Sequence, residues 1–222
     1  MSDNTPLLAL GSGLPEPFAE PEPVPGIIAA LAEQGWCVTP DFLAPALVDA
    51  LRHELEACWQ AGGFRHAGVG RGAQLQVRPE VRTDCVHWLD AQACGPAQRR
   101  YLDELERLRL AINGTLFLGL FDFEAHLAVY PAGTYYRRHL DQFAGIGTRR
   151  VTSTLYLNAD WLAADGGQLR IYTDPDVPGH AEDVLPLGGT LVTFLSARFL
   201  HEVLPARRSR MSITGWFRTR ET

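Results

Sequence analysis

Apolar positions recur at helical spacing in the first half of the chain and in short alternating runs in the second. Leu43, Leu47, Leu51 and Leu55 stand four apart, and Leu102, Leu105, Leu108 and Ile112 three or four apart, so each set shares one face of a helix. The spacing predicts one amphipathic helix through the first set and another over about 96–112. A shorter helix at 27–34 leads into a strand at Gly35-Trp36-Cys37-Val38. A glycine-rich stretch, 62–72, precedes the run Val81-Arg82-Thr83-Asp84-Cys85-Val86-His87-Trp88. Beyond Phe121 the period shortens: 126–130, 151–158, 168–172, 190–195 and 212–217 read as strands, separated by Gly, Pro, Asp and Asn. Helices followed by many short strands argue for a mainly β fold with supporting α: a jelly roll, or double-stranded β-helix, with helices buttressing one sheet.

Composition adds bounds to that picture. At 222 residues, 46% of them hydrophobic, the chain is long enough for one domain with a substantial core. Residues 1–26 hold six of the fifteen prolines and little periodicity, which reads as an extended arm ahead of a single domain over 27–222. A net charge of -6 and a pI near 5.6 give no concentrated basic face, so neither nucleic acid nor an anionic membrane is an expected partner. No apolar run reaches the roughly 20 residues that span a bilayer. Cys37, Cys58, Cys85 and Cys94 lack C-x-x-C pairing, and the amino terminus has no basic-then-apolar leader. Free packing thiols in a reducing cytoplasm are expected, with a redox switch as the alternative, and the protein is expected to be a monomer.

Candidate chemistry concentrates in the strand-rich half. His139-Leu140-Asp141 is followed sixty residues later by His201, and nine residues after that by Arg210. In an extended strand residues two apart point the same way, so His139 and Asp141 present an imidazole and a carboxylate to one ion while Leu140 faces away. His201, in Phe199-Leu200-His201-Glu202-Val203, brings a third donor from a second β-like segment. Two imidazoles and a carboxylate leave three positions open on an octahedral ferrous ion, room for a bidentate oxoacid and dioxygen; zinc more often shows a closed tetrahedral set. A His-x-Asp pair alone is equally a surface pair, and the remaining histidines, His53, His66, His87, His126 and His180, read as surface or packing residues. His126 differs from the others in lying two strand positions before Ala128, on the run to Tyr130.

Alternation across the last strand buries Arg210, and a buried guanidinium needs a carboxylate, which 2-oxoglutarate supplies in bidentate geometry. Tyr156 is placed to offer its hydroxyl to the same carboxylate. Tyr130 and Thr214 are candidate pocket neighbours, with ordinary packing and hydrogen bonding as the alternative. Arg207 and Arg208 read as solvated turn residues.

The run from Tyr130-Pro-Ala-Gly-Thr-Tyr-Tyr-Arg-Arg-His139-Leu-Asp141 to His201-Glu-Val-Leu-Pro-Ala-Arg-Arg-Ser-Arg210 resembles the Fe(II)- and 2-oxoglutarate-dependent prolyl 4-hydroxylases. The likeness is to the hypoxia-inducible-factor hydroxylase branch and its bacterial relatives rather than to the collagen enzymes. It extends through Leu155-Tyr156-Leu157-Asn158, Trp161, Gly166-Gly167-Gln168-Leu169-Arg170-Ile171 and Trp216, and back to Asp41-Phe42-Leu43, Arg82-Thr83-Asp84 and Trp88.

The resemblance implies that His139, Asp141 and His201 bind iron, that Arg210 and Tyr156 anchor 2-oxoglutarate, and that Tyr130 lines the pocket. It further implies that Arg82, Asp84 and Trp88 belong to a finger loop and neighbouring strand that close over a polypeptide, an ion pair and a packing anchor being the alternative. The implied reaction uses 2-oxoglutarate and O2, with ascorbate as a reductant, and hydroxylates a prolyl residue in an exposed loop of a partner protein. In bacterial relatives that partner is expected to be elongation factor Tu, and oxygen sensing is the associated role. Residues 142–150 look one residue longer than in the eukaryotic sensors, and 62–72 has its own composition, so substrate choice is where this chain departs. An oxygenase of the same scaffold acting on a small metabolite, and a non-catalytic sensor of metal and oxoacid, are the competing readings.

Overall fold

The computed structural model describes residues 23–69, 76–142, 147–174, 177 and 179–220. Three helices, α1 (Pro23–Glu33), α2 (Pro45–Gln60) and α3 (Pro96–Leu116), accompany eleven strands. These are β1 (Trp36–Thr39), β2 (Arg65–His66), β3 (Cys85–Trp88), β4 (Asp122–Tyr130), β5 (Tyr136–His139), β6 (Arg149–Tyr156), β7 (Leu169–Tyr172), β8 (Ala181–Val184), β9 (Leu191–Leu195), β10 (His201–Val203) and β11 (Arg210–Arg218). The strands form a seven-stranded antiparallel sheet, ordered β1-β9-β6-β11-β4-β3-β2, and a four-stranded one, ordered β5-β10-β7-β8. This is the expected jelly roll, with the helices against the larger sheet.

Several boundaries differ from the sequence reading. The first helix begins at Pro23, four residues early, because proline is tolerated in a first helical turn and Val24 reaches the core. Residues 1–22 of the expected arm lie outside the described residues. β4 starts at Asp122, and β6 stops at Tyr156, leaving Asn158 to bridge two segments: its amide donates to Pro186 O and its Oδ1 accepts from Met211 N.

Alternation along the central strands explains the layering. Ala125, Leu127 and Val129 of β4, Val151 and Leu155 of β6, and Ile213 and Phe217 of β11 point towards the helices. There they meet Leu51 and Leu55 of α2 and Tyr101, Leu105, Leu108 and Ile112 of α3, all fully buried. The intervening residues, among them Ala128, Tyr130, Tyr156, Val192 and Phe194, face the smaller sheet and pack with Leu169, Ile171 and Val203. The helical layer is itself tied together, because Glu54 of α2 accepts the Ala97 and Gln98 amides and so caps α3 from outside. No helix among the described residues is long and apolar enough to cross a membrane.

Gly215, midway along β11, lies so close to β4 that an added Cβ would fall 2.4 Å from Phe123 and 2.7 Å from Glu124 O. Gly215→Ala is expected to cost about 1–3 kcal/mol through overpacking. Urea denaturation checks this, and an unchanged midpoint would show that β4 and β11 yield freely.

Candidate active site

β5 ends at His139 and the chain bends, so Asp141 follows the strand instead of lying within it as expected. The two side chains still converge. His201 opens β10 and pairs with His139 across the ladder, their ring centroids 4.2 Å apart. Asp141 Oδ1 lies 3.4 Å from His139 Nε2, and Oδ2 lies 3.5 Å from His201 Nε2. Ligand-type atoms of all three fall within 4.8 Å of one another. His139 Nδ1 is 2.7 Å from Arg137 O, and His201 Nδ1 is 3.1 Å from Phe199 O. A ring nitrogen facing a carbonyl carries the proton, so each imidazole turns a free Nε2 lone pair towards Asp141, the tautomer a metal ligand needs.

Electrostatics agree with that reading. Burial lowers the pKa of His201 to about 4, against the pull of Asp141, so the ring is neutral. Burial opposes the charge on Asp141, but the positive charge that His201 takes up at low pH, with His139 beside it, holds its carboxyl well below the usual carboxylate range. The Thr152 hydroxyl donates to Asp141 Oδ2 at 2.8 Å and lies 2.9 Å from Ser196 Oγ, which fixes the carboxylate's direction. Two imidazoles and one oriented carboxylate, beside a cavity of about 480 Å³, fit a ferrous ion with open positions.

The other end of the cavity is cationic. Arg210, 1% exposed, sits between Tyr130 and Tyr156, its guanidinium 5.0 and 4.9 Å from their ring centroids. Its Nε donates to Gly167 O at 2.9 Å, and no carboxylate among the described residues pairs with it. The Tyr156 hydroxyl is buried without a hydrogen-bond partner among the described residues, and burial raises its pKa, keeping it a donor. An unpaired guanidinium and an orphaned hydroxyl both cost free energy until an anion meets them, and one carboxylate satisfies both. Gly167, at φ +72°, holds the carbonyl in place where a Cβ would fall 2.9 Å from Ala206. Tyr130 and Thr214 both line the cavity, the Thr214 hydroxyl 3.3 Å from that of Thr154.

Of the three finger residues, Arg82 and Trp88 line the cavity and Asp84 does not. Asp84 is fully buried and accepts two hydrogen bonds from Arg82, at 2.8 and 2.6 Å. His126, expected to be a packing or surface residue, also lines the cavity, flanked by Trp88 and Trp216 at 5.1 and 5.5 Å. The phase that sets it apart in the sequence accounts for this, since His126, Ala128 and Tyr130 alternate with the helix-facing Ala125, Leu127 and Val129. Arg207 and Arg208 are both exposed as expected, and Arg208 also donates to Ala159 O at 2.7 Å and lies over Trp161. Residues 70–72 and 143–146, within the two divergent stretches, lie outside the described residues.

The chain belongs to the 2OG-Fe(II) oxygenase superfamily, whose family model matches residues 125–218. Iron, 2-oxoglutarate and dioxygen are the cofactor and co-substrates of that family. Within it the chain is similar to prolyl hydroxylases. It is 42% identical to a Pseudomonas putida prolyl-4-hydroxylase, over 89% of this chain and 100% of that one, with a TM-score of 0.80. It is 28% identical to a Trichoplax adhaerens prolyl hydroxylase solved with a peptide fragment of the hypoxia inducible factor oxygen degradation domain, over 89% of each chain, TM-score 0.79. The hypoxia-inducible factor prolyl hydroxylase of Caenorhabditis elegans is 31% identical over 211 residues, 86% of this chain. The chain spans 27% of that relative's length, and 45%, 54% and 64% of the human, mouse and rat proteins named Egl nine homolog 1 that it also matches.

Two stability predictions follow from the buried charges. Arg82→Ala strands the Asp84 carboxylate and is expected to destabilise the fold by about 3–5 kcal/mol, measured by urea unfolding; a loss below 1 kcal/mol would mean that Asp84 has access to water. Burial lowers the His126 pKa to about 4, so between that value and the unfolded value near 6.5 the unfolded chain binds the extra proton. Stability is therefore lost as pH falls through that window, by about 2 kcal/mol at pH 5 from this residue. His126→Leu should lose that much less between pH 7 and 5 than the parent, and equal losses would refute the buried neutral ring.

Proposed function

We propose that this protein is an Fe(II)- and 2-oxoglutarate-dependent prolyl 4-hydroxylase acting on an exposed prolyl residue of a partner protein. The observation that carries the reading is one cavity lined both by His139, Asp141 and His201 and by Arg210, with Tyr130 and Tyr156 flanking the guanidinium.

In this reading the iron is held by His139, Asp141 and His201, and when bound it supplies dioxygen activation. The reaction consumes 2-oxoglutarate, O2 and a prolyl C–H and yields succinate, CO2 and the C–OH. Arg210 and Tyr156 receive the distal carboxylate of 2-oxoglutarate, setting its length along the cavity, while Tyr130 and Thr214 form the walls beside it. Thr152 keeps the Asp141 carboxylate turned towards the metal. No side chain needs to act as nucleophile or general acid; the protein positions the reactants and shields them from water. A polypeptide substrate is supported by the rim, where exposed Val77 and Leu140 lie beside Arg65, Gly68 and Val69 at the cavity mouth. It is supported too by the peptide complex of the Trichoplax relative. Arg82 and Trp88 line the same cavity and are the residues to test for substrate contact. Elongation factor Tu in the cytoplasm is the partner to test first.

His139→Ala and Asp141→Ala should each abolish succinate formation under ferrous, aerobic conditions with ascorbate, and normal turnover in either would refute the iron assignment. Arg210→Ala should chiefly weaken 2-oxoglutarate binding, by one to two orders of magnitude for a lost charge-assisted pair of roughly 1.5–3 kcal/mol; an unchanged Kd would remove it from the anchor. Incubation with a bacterial lysate, followed by mapping of prolines gaining one oxygen, identifies the substrate. Turnover of a free amino acid with no modified protein would overturn the polypeptide reading.

A further inference from the structure

The segment carrying Arg82 is built onto the strand carrying His139. Thr83 N donates to Tyr135 O at 3.1 Å and Arg137 N to Val81 O at 2.9 Å, with Arg82 and Tyr136 forming an antiparallel bridge between them. The Thr83 hydroxyl also accepts from Tyr135 N at 3.1 Å. On its other side β5 pairs only with β10, at two positions separated by a register shift. Residues 81–83 therefore complete the support of a short edge strand.

The side chains continue that connection. Asp84, fully buried, fixes the Arg82 guanidinium through two hydrogen bonds, and Arg82 lies 4.2 Å from the centroid of the Tyr136 ring. Tyr136 stacks on His139, centroids 3.5 Å apart and planes within 14°. Asp141 is oriented by Thr152, and His201 is buried against Phe194. His139 is less enclosed; its Nδ1 contact with Arg137 O and its Nε2 approach to Asp141 set where the ring edge points and leave the ring faces to be held by neighbours. The stack on Tyr136 holds one of those faces.

We propose that Asp84, Arg82 and Tyr136 are positioning residues for His139, so that metal affinity depends on how the 76–84 segment is seated at the cavity mouth. The proposal rests on the reading of His139, Asp141 and His201 as the iron ligands. It gives Arg82 and Asp84 a role in the protein alone, before any substrate arrives. Partners that orient a metal ligand typically carry 10–100-fold in metal affinity.

Titration of the full-length apoprotein with Mn(II), an air-stable substitute for Fe(II), followed by electron paramagnetic resonance, tests it without turnover. Tyr136→Leu, and Arg82→Gln combined with Asp84→Asn, which leaves no stranded charge, should each raise the Mn(II) Kd about 10–100-fold. Tyr136→Phe keeps the stacked ring and should restore the parental Kd, which a general loss of stability would not predict. Arg78→Ala, an exposed residue of the same segment paired with Glu80, should leave the Kd unchanged. His139→Ala should remove binding. If Tyr136→Leu does not fold, the Arg82/Asp84 pair decides. A Kd within twofold of the parent in the folded variants, with binding lost in His139→Ala, would overturn the positioning role and leave the iron reading standing. Parental binding in His139→Ala would remove both.

Discussion

A guanidinium buried between two tyrosine rings, with no carboxylate of the described chain to meet it, is the constraint around which the inter-sheet space is arranged. Arg210 opens β11; Tyr130 is its ladder partner on β4, while Tyr156 on β6 pairs with Ser212, two residues along. The desolvation of that charge is compensated only when an anion enters, so this end of the core cannot also supply stability. The opposite face of the same sheet does so. Leu127, Leu155, Ile213 and Phe217 lie fully buried under α2 and α3, and the apolar layer they form contains none of the site residues. One sheet thus serves two ends, with alternation of side chains keeping them apart.

The metal end solves a different electrostatic problem. Three polar groups are desolvated together, and each would be costly alone. The backbone carbonyls of Arg137 and Phe199 fix the imidazole tautomers, while Thr152 and Ser196 hold the carboxylate from the larger sheet. The contributors come from both sheets and from the connection between β9 and β10, so the site exists only once the two sheets have closed on each other.

Much of this was legible in the chain, for reasons tied to individual residues. Periodicity located α2 and α3 because their buried positions recur every three or four residues, and it separated the faces of β11 well enough to bury Arg210. The wish for a carboxylate at Arg210 followed from charge alone. The extent of β5 is not marked in the sequence because Tyr136-Arg-Arg-His has no apolar alternation, being a strand held by backbone bonds. That is also why Asp141 was placed in a strand that ends two residues before it. Asp84 and Arg82 read equally as surface ion pair or substrate contact, since no local pattern tells a fully buried carboxylate from a solvated one. His126 lacks a partner at ligand spacing and so reads as a surface or packing residue, while its register with Ala128 and Tyr130 sets it apart from the other histidines.

The bridge between residues 81–83 and β5 has a consequence for how such enzymes diversify. A recognition segment attached to its scaffold only through its ends could be exchanged between relatives like a cassette, altering what is recognised and nothing else. Here the segment shares backbone hydrogen bonds with the strand that carries His139, so a graft at 76–84 changes the support of that strand as well. Drift in this region is then filtered twice, and new specificities arise more readily from stretches that do not bond to β5.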